Sequence, residues 1–264
     1  MGKYYSFFKN SISESLVYRT NVFILLVSQI ISLSIFIMLW TAIYKEGNTV
    51  GNYSIGSLIT YYVVSTIIAF IIQGVDVAWR ISDDIRMGNV TNFILKPIDY
   101  FWSTMSIVAG KSIFNFSTVV LISIPFFFAK PSLISEFFGN ARLDVFLLIS
   151  LLFSFGIFMS FFYIIGSVSF WMGTSQGLNF MVRMIMMFLS GSMLPLDLLP
   201  GWLINANDFL PFKYMAWQPV QIFIGQENLE WNIFIPEIAW LVALYVISVL
   251  IFKKGIEKYE GFGA

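Results

Sequence analysis

The chain has 264 residues, of which 58% are hydrophobic and only 11% charged, a balance that leaves a soluble fold with large apolar patches in water and therefore points to an integral membrane protein. Its 15 basic and 15 acidic residues cancel, so nothing in the charge suggests a nucleic-acid partner. The absence of Cys and His excludes disulfide scaffolding, thiol chemistry and most transition-metal sites, and no metal site is expected.

Residues 1–20 place Tyr5, Phe8, Ile12 and Leu16 at spacings of three and four, with Lys9, Ser13 and Glu14 elsewhere around the helix. This pattern predicts a short amphipathic helix lying in the membrane interface, or else a frayed start to the first span. No cleaved signal peptide is expected, because no short apolar core leads to a small-residue cleavage site. Apolar runs then predict six spans, at about 22–44, 58–78, 104–128, 145–171, 178–196 and 237–253, each near the length that crosses a bilayer. The fold class is all-α, in one membrane domain.

Between the second and third spans, Arg80–Tyr100 carries Arg80, Asp83, Asp84, Arg86, Lys96 and Asp99. It is too polar to cross lipid and too apolar for an idle linker. Ser82, Asp83 and Asp84 suit a helix start, while Val90, Phe93, Ile94 and Ile98 recur at helical spacing and Pro97 limits the helix. One face is expected to carry apolar docking residues, leaving Arg86 and Lys96 to meet an acidic groove; the alternative is an amphipathic hairpin resting on lipid.

The stretch 195–236 holds Pro195, Pro200, Pro211, Pro219 and Pro236 among short apolar runs. It predicts short helices re-entering the membrane, or an ordinary surface loop. Lys and Arg in short loops orient the chain. Lys3, Lys9, Arg19, Arg80, Arg86, Lys96, Lys253, Lys254 and Lys258 outnumber Lys45, Lys130, Arg142 and Lys213. Both termini and the 80–100 segment are thereby expected in the cytoplasm.

Gly110-Lys111-Ser112 imitates the end of a phosphate-binding loop, but Met105 stands where the first Gly is required. ATP hydrolysis by this chain is therefore not expected. No carboxylate is predicted deep within a span: Asp76 sits near a boundary, and Glu237 is placed outside. That weakens an ion-driven carrier or an intramembrane hydrolase. Within the spans, the cations Lys111 and Arg183 either snorkel to headgroups or, for Arg183, face a cavity and meet an anionic group.

Four stretches carry a family resemblance: Tyr18–Asn21 with Leu39–Tyr44, Ile85–Pro97, Ser190–Pro200, and Leu210–Gly225. In this order they resemble an ABC-2 type transporter permease, closest to a subgroup of uncharacterised permeases that pair with a separate ATPase. The resemblance implies an exporter subunit in a bacterial cell membrane that moves a hydrophobic or amphipathic substrate outward. It implies a second permease copy or sister permease, dimerising across spans one and five, with membrane lipid around it. Cytoplasmic ABC ATPase subunits would bind the ATP and Mg, and this chain would hold no cofactor itself. The 80–100 segment matches the coupling helix, which assigns ATPase coupling to Asp83, Asp84, Arg86, Val90, Phe93, Ile94 and Lys96. A path along the dimer seam would be lined by Arg183, Met187 and Phe188. The alternatives are an ATP-independent carrier or channel, or a non-transporting membrane assembly protein.

Overall fold

A computed structural model describes residues 2–45, 53, 55–73, 76–94, 96–129, 141–225 and 230–259, and every element among them is helical. The all-α expectation is met. Most of the loop expected at Lys130–Asp144, with Lys130 itself, lies outside the described residues, as does the side chain of Ile94.

Helix α1 (Gly2–Val17) is followed by α2 (Arg19–Lys45) and α3 (Ile55–Ile68). Helix α3 widens into a π-helical turn over Ala69–Gln73, and α4 (Val77–Arg86) starts afresh beyond it. After α5 (Thr91–Ile94) come α6 (Tyr100–Ala129), α7 (Val145–Ser167), α8 (Ser169–Met172) and α9 (Gln176–Leu189). The prolyl stretch forms α10 (Gly201–Asp208) and α11 (Trp217–Phe223), with 3-10 turns at Leu196–Leu198, Phe212–Met215 and Trp231–Ile233. Helix α12 (Phe234–Lys258) ends the described chain.

Among the described residues, five stretches are long and apolar enough to cross a membrane: Phe23–Tyr44, Ile55–Arg86, Tyr100–Leu121, Val145–Met172 and Trp231–Lys258. They coincide with five of the six predicted spans. The span predicted at 178–196 is cut short, because α9 has 14 residues, about 21 Å of helix against a hydrocarbon core of about 30 Å. A turn ends it: Gly191 has φ 77°, a left-handed conformation that Gly adopts without the steric cost of a Cβ. Pro195 follows.

Small residues set the packing. Helices α7 and α12 run side by side in the same direction, and a Cβ on Gly156 would come within 2.6 Å of a Leu241 methyl. Further along, a Cβ on Gly255 would enter the Phe170 ring. Helix α1 closes on α6 through Gly110, where a Cβ would collide with Ser11 and with the Phe8 carbonyl. The face that α1 turns to the protein is thus its serine face, since Ser11 and Ser15 are buried while Tyr5 and Leu16 are exposed. That leaves apolar side chains free on the outside, as an interfacial helix requires.

Inside the bundle, polar groups are matched across helices. The π turn frees the Phe70 carbonyl, which accepts from Asn115 Nδ2 of α6 at 3.1 Å, the kind of side-chain substitute that makes a broken helix tolerable in lipid. Glu237 corrects an expectation. It lies in the first turn of α12 and is fully buried, with Ser150 Oγ of α7 donating to its Oε1 at 2.9 Å. Its Oε2 has no hydrogen-bond partner among the described residues. Ser150→Ala is expected to cost about 1–3 kcal/mol by leaving that carboxyl group unsatisfied. Equal melting temperatures for Ser150→Ala and the parent in detergent would show that the bond contributes nothing.

Candidate functional site

The polar segment after the second span is built on α4. Asp76 caps this helix, its carboxylate accepting the Trp79 backbone N–H at 3.0 Å. Ser82, Asp83 and Asp84, expected to start a helix, instead occupy its interior and last turn. The reason is the buried face: Val77, Ala78, Ile81, Ser82 and Ile85 line one side of α4, and burying all five requires the helix to begin before Arg80. The seat for that face is Gly166 of α7. A Cβ there would lie 2.7 Å from Ile81 Cβ and 3.0 Å from the Ala78 carbonyl oxygen. Beside it, Ser82 Oγ accepts from Ser169 Oγ at 2.9 Å and from the Ser175 backbone N–H at 3.2 Å.

Beyond α4 the chain reverses at Gly88, where φ is 79°, and passes through the single turn of α5. Of the residues expected on an apolar docking face, Val90 and Phe93 turn inward. Val90 is fully buried, and the Phe93 ring stands edge-on to Tyr100, with centroids 4.9 Å apart, and 6.0 Å from Phe7. A helix of four residues cannot sustain the spacing that would have put Val90, Phe93 and Ile98 on one outer face. These rings instead prop the segment from within. Asp84 does the same work by polar contact, accepting from Tyr100 OH at 2.7 Å and from Asn89 Nδ2 at 3.4 Å. Arg86 pairs with Asp83 at 3.1 Å and remains mostly exposed. The outward surface is therefore Arg86, Met87 (63% exposed), Asn89, Thr91, Asn92 and Lys96.

Both ends of the chain hold this surface in place. Lys3 Nζ donates to the Pro97 carbonyl at 3.1 Å, and the Asp99 N–H donates to Tyr4 OH at 3.2 Å. Tyr259 OH donates to the Ile85 carbonyl at 3.1 Å. Lys111, expected to snorkel to the headgroups, pairs with Glu14 of α1 at 3.4 Å. The start of α1, the end of α12 and the segment thus share one end of the bundle.

Arg183 meets its anionic group within this chain. Its guanidinium lies 3.2 Å from Asp76 Oδ1 and 4.9 Å from the centre of the Phe162 ring, a favourable place for a cation. Asn179 Nδ2 donates to the same carboxylate at 3.1 and 3.2 Å. The side chains of Met187 and Phe188 are exposed, whereas that of Met186 is buried. The three residues predicted to line a path are thus not brought together: Arg183 faces α4. Asp76 and Asn179 are the members that sequence reading missed. The available signal was Ser175, Asn179 and Arg183 at steps of four, a polar stripe on an apolar helix.

At the other end, tyrosines fasten the prolyl region. Tyr61 OH donates to the Gly191 carbonyl at 2.6 Å and Tyr62 OH to that of Met193 at 3.1 Å. Tyr53 OH donates to Asp197 Oδ2 at 2.6 Å and accepts from Gln221 Nε2 at 3.3 Å. Burial, then the bond to Asp197, pushes the Tyr53 phenol well above its ordinary pKa. Pro195, Pro200 and Pro211 precede short helical turns and Pro219 lies in the first turn of α11, positions where a missing N–H costs nothing. Pro195, Pro211 and Pro219 are buried and Pro200 is exposed.

A search of the curated proteins found no match. The family model described as ABC-2 family transporter protein matches residues 30–263. The chain belongs to that family, as a multi-pass membrane permease.

Proposed function

We propose that this ABC-2 family chain is the permease subunit of an ATP-driven exporter, with hydrolysis performed by a separate ATPase docked on the surface around Met87. The observation that carries the reading is that surface itself. A polar, solvent-facing turn closes the end of an apolar bundle, braced by α1, α6 and Tyr259. A loop with no partner has no need of so many cross-braces, because ordering it costs conformational entropy that only a function repays.

In this reading the termini are cytoplasmic, and ATP and Mg belong to the partner. The faces of α2 and α9 where Phe23, Ile24, Met38, Phe180 and Met181 stand exposed suit lipid and a second permease, identical or sister. The substrate is hydrophobic or amphipathic, since the helices offer mostly apolar walls.

The test is purification from the native membrane followed by reconstitution. The chain is expected to bring down a subunit with a complete G-x4-G-K-[ST] motif, and transport by the pair should stop without ATP. Transport that survives ATP removal and stops when an ion gradient is collapsed would establish a secondary carrier instead.

A further inference from the structure

We infer that Asp76 is the joint through which movement of the docking segment reaches α9; the inference rests on the docking role proposed above. Helix α4 is a stiff rod with two different ends. Its C-terminal end carries Met87 and the outward surface, and its N-terminal end is capped by Asp76. A displacement at one end of so short a helix must appear at the other, because its backbone hydrogen bonds leave no soft point between them.

Three contacts tie this rod to α9, all on the stripe of Ser175, Asn179 and Arg183. The Ser175 N–H bonds to Ser82, and Asn179 and Arg183 bond to Asp76. On α3's side the regular α-helix is interrupted, by a π-helical turn that ends three residues before Asp76, and such turns gather at functional sites. Helix α4 is thus tied to α9 through both Asp76 and Ser82. The far end of α9 is held as well: the Leu189 carbonyl accepts from Asn207 and the Gly191 carbonyl from Tyr61. A push delivered at Met87 is therefore conducted along α9 to the tyrosine-fastened prolyl region.

The carboxylate serves two purposes that substitution can separate. As a cap it needs only an acceptor oxygen, which Asn supplies equally well. As a joint it needs its charge, since its contact with Arg183 is an ion pair. Asp76→Asn should thus keep α4 folded while loosening α9, and Arg183→Gln should do the same from the other side. Arg183→Lys keeps the charge and should keep the linkage.

The chain has no native cysteine, so a nitroxide attached through Met187→Cys reports on α9 alone. The labelled chain is placed in nanodiscs with its co-purifying ATPase, and its spectrum is recorded before and after Mg-ATP. The nucleotide-induced spectral change is expected to fall about fivefold in Asp76→Asn and Arg183→Gln and to persist in Arg183→Lys. ATPase binding should be unchanged in all three. An undiminished change in Asp76→Asn, with the ATPase bound, overturns the joint and leaves the docking role standing. Failure of the ATPase to bind the unaltered labelled chain overturns both.

Discussion

Gly166→Val is expected to unseat α4 and destabilise the permease by about 1–3 kcal/mol, the range typical of overpacked cores. The obstacle is backbone. An added Cβ at this position falls 3.0 Å from the Ala78 carbonyl oxygen and 3.1 Å from Ala78 Cα, besides 2.7 Å from Ile81 Cβ. None of these atoms can rotate away, so the helices must separate. Separation also strains the bonds from Ser169 and Ser175 to Ser82, which lie one turn along the same contact. Gly156→Ala is the control. Its Cβ would approach only the methyl end of Leu241, at 2.6 Å, and a change of rotamer relieves that. Thermal unfolding in detergent, together with trypsin cleavage at Arg80 and Arg86, reads both effects. Equal losses in the two variants would contradict the special role of the α4–α7 contact.

How far the sequence discloses this architecture depends on the range of the interaction concerned. Spans are legible because a bilayer demands about 20 apolar residues in succession, a local property, and five of the predicted spans are helices of that length. The docking segment is legible for the same reason in reverse: charges cluster where lipid would exclude them. Its inner and outer faces are not. The spacing of Val90, Phe93 and Ile98 suits a continuous helix, but Gly88 and Pro97 confine α5 to one turn, and the rings turn inward to Tyr100 and Phe7. The Asp76 site is hidden differently. The stripe on α9 can be read from its steps of four, whereas its acceptor lies about a hundred positions earlier, at a helix start disguised as the end of a span. Glu237 is misplaced because a carboxylate beside Pro236 looks like loop, and only the fold supplies Ser150.

Phe93→Asp is expected to release the docking surface and reduce ATPase capture roughly tenfold or more, the scale of a lost interface hot spot. The ring is a prop between α1 and α6, so its removal cuts the contact to Phe7 and the edge-on contact to Tyr100 together. A carboxylate in its place sits in a pocket already supplied with Asp84, which Tyr100 binds, and like charges at close range repel. The loss should appear as faster amide exchange over residues 88–99, because a segment without its prop opens more often. Phe93→Leu keeps apolar bulk and should keep most of both protection and capture. Met87→Asp separates contact from support: Met87 is 63% exposed, so the variant should retain normal amide protection and still lose capture. If instead Phe93→Asp left exchange unchanged while abolishing capture, the ring would be a docking residue after all, and the inward-facing arrangement would not describe the protein as its partner meets it.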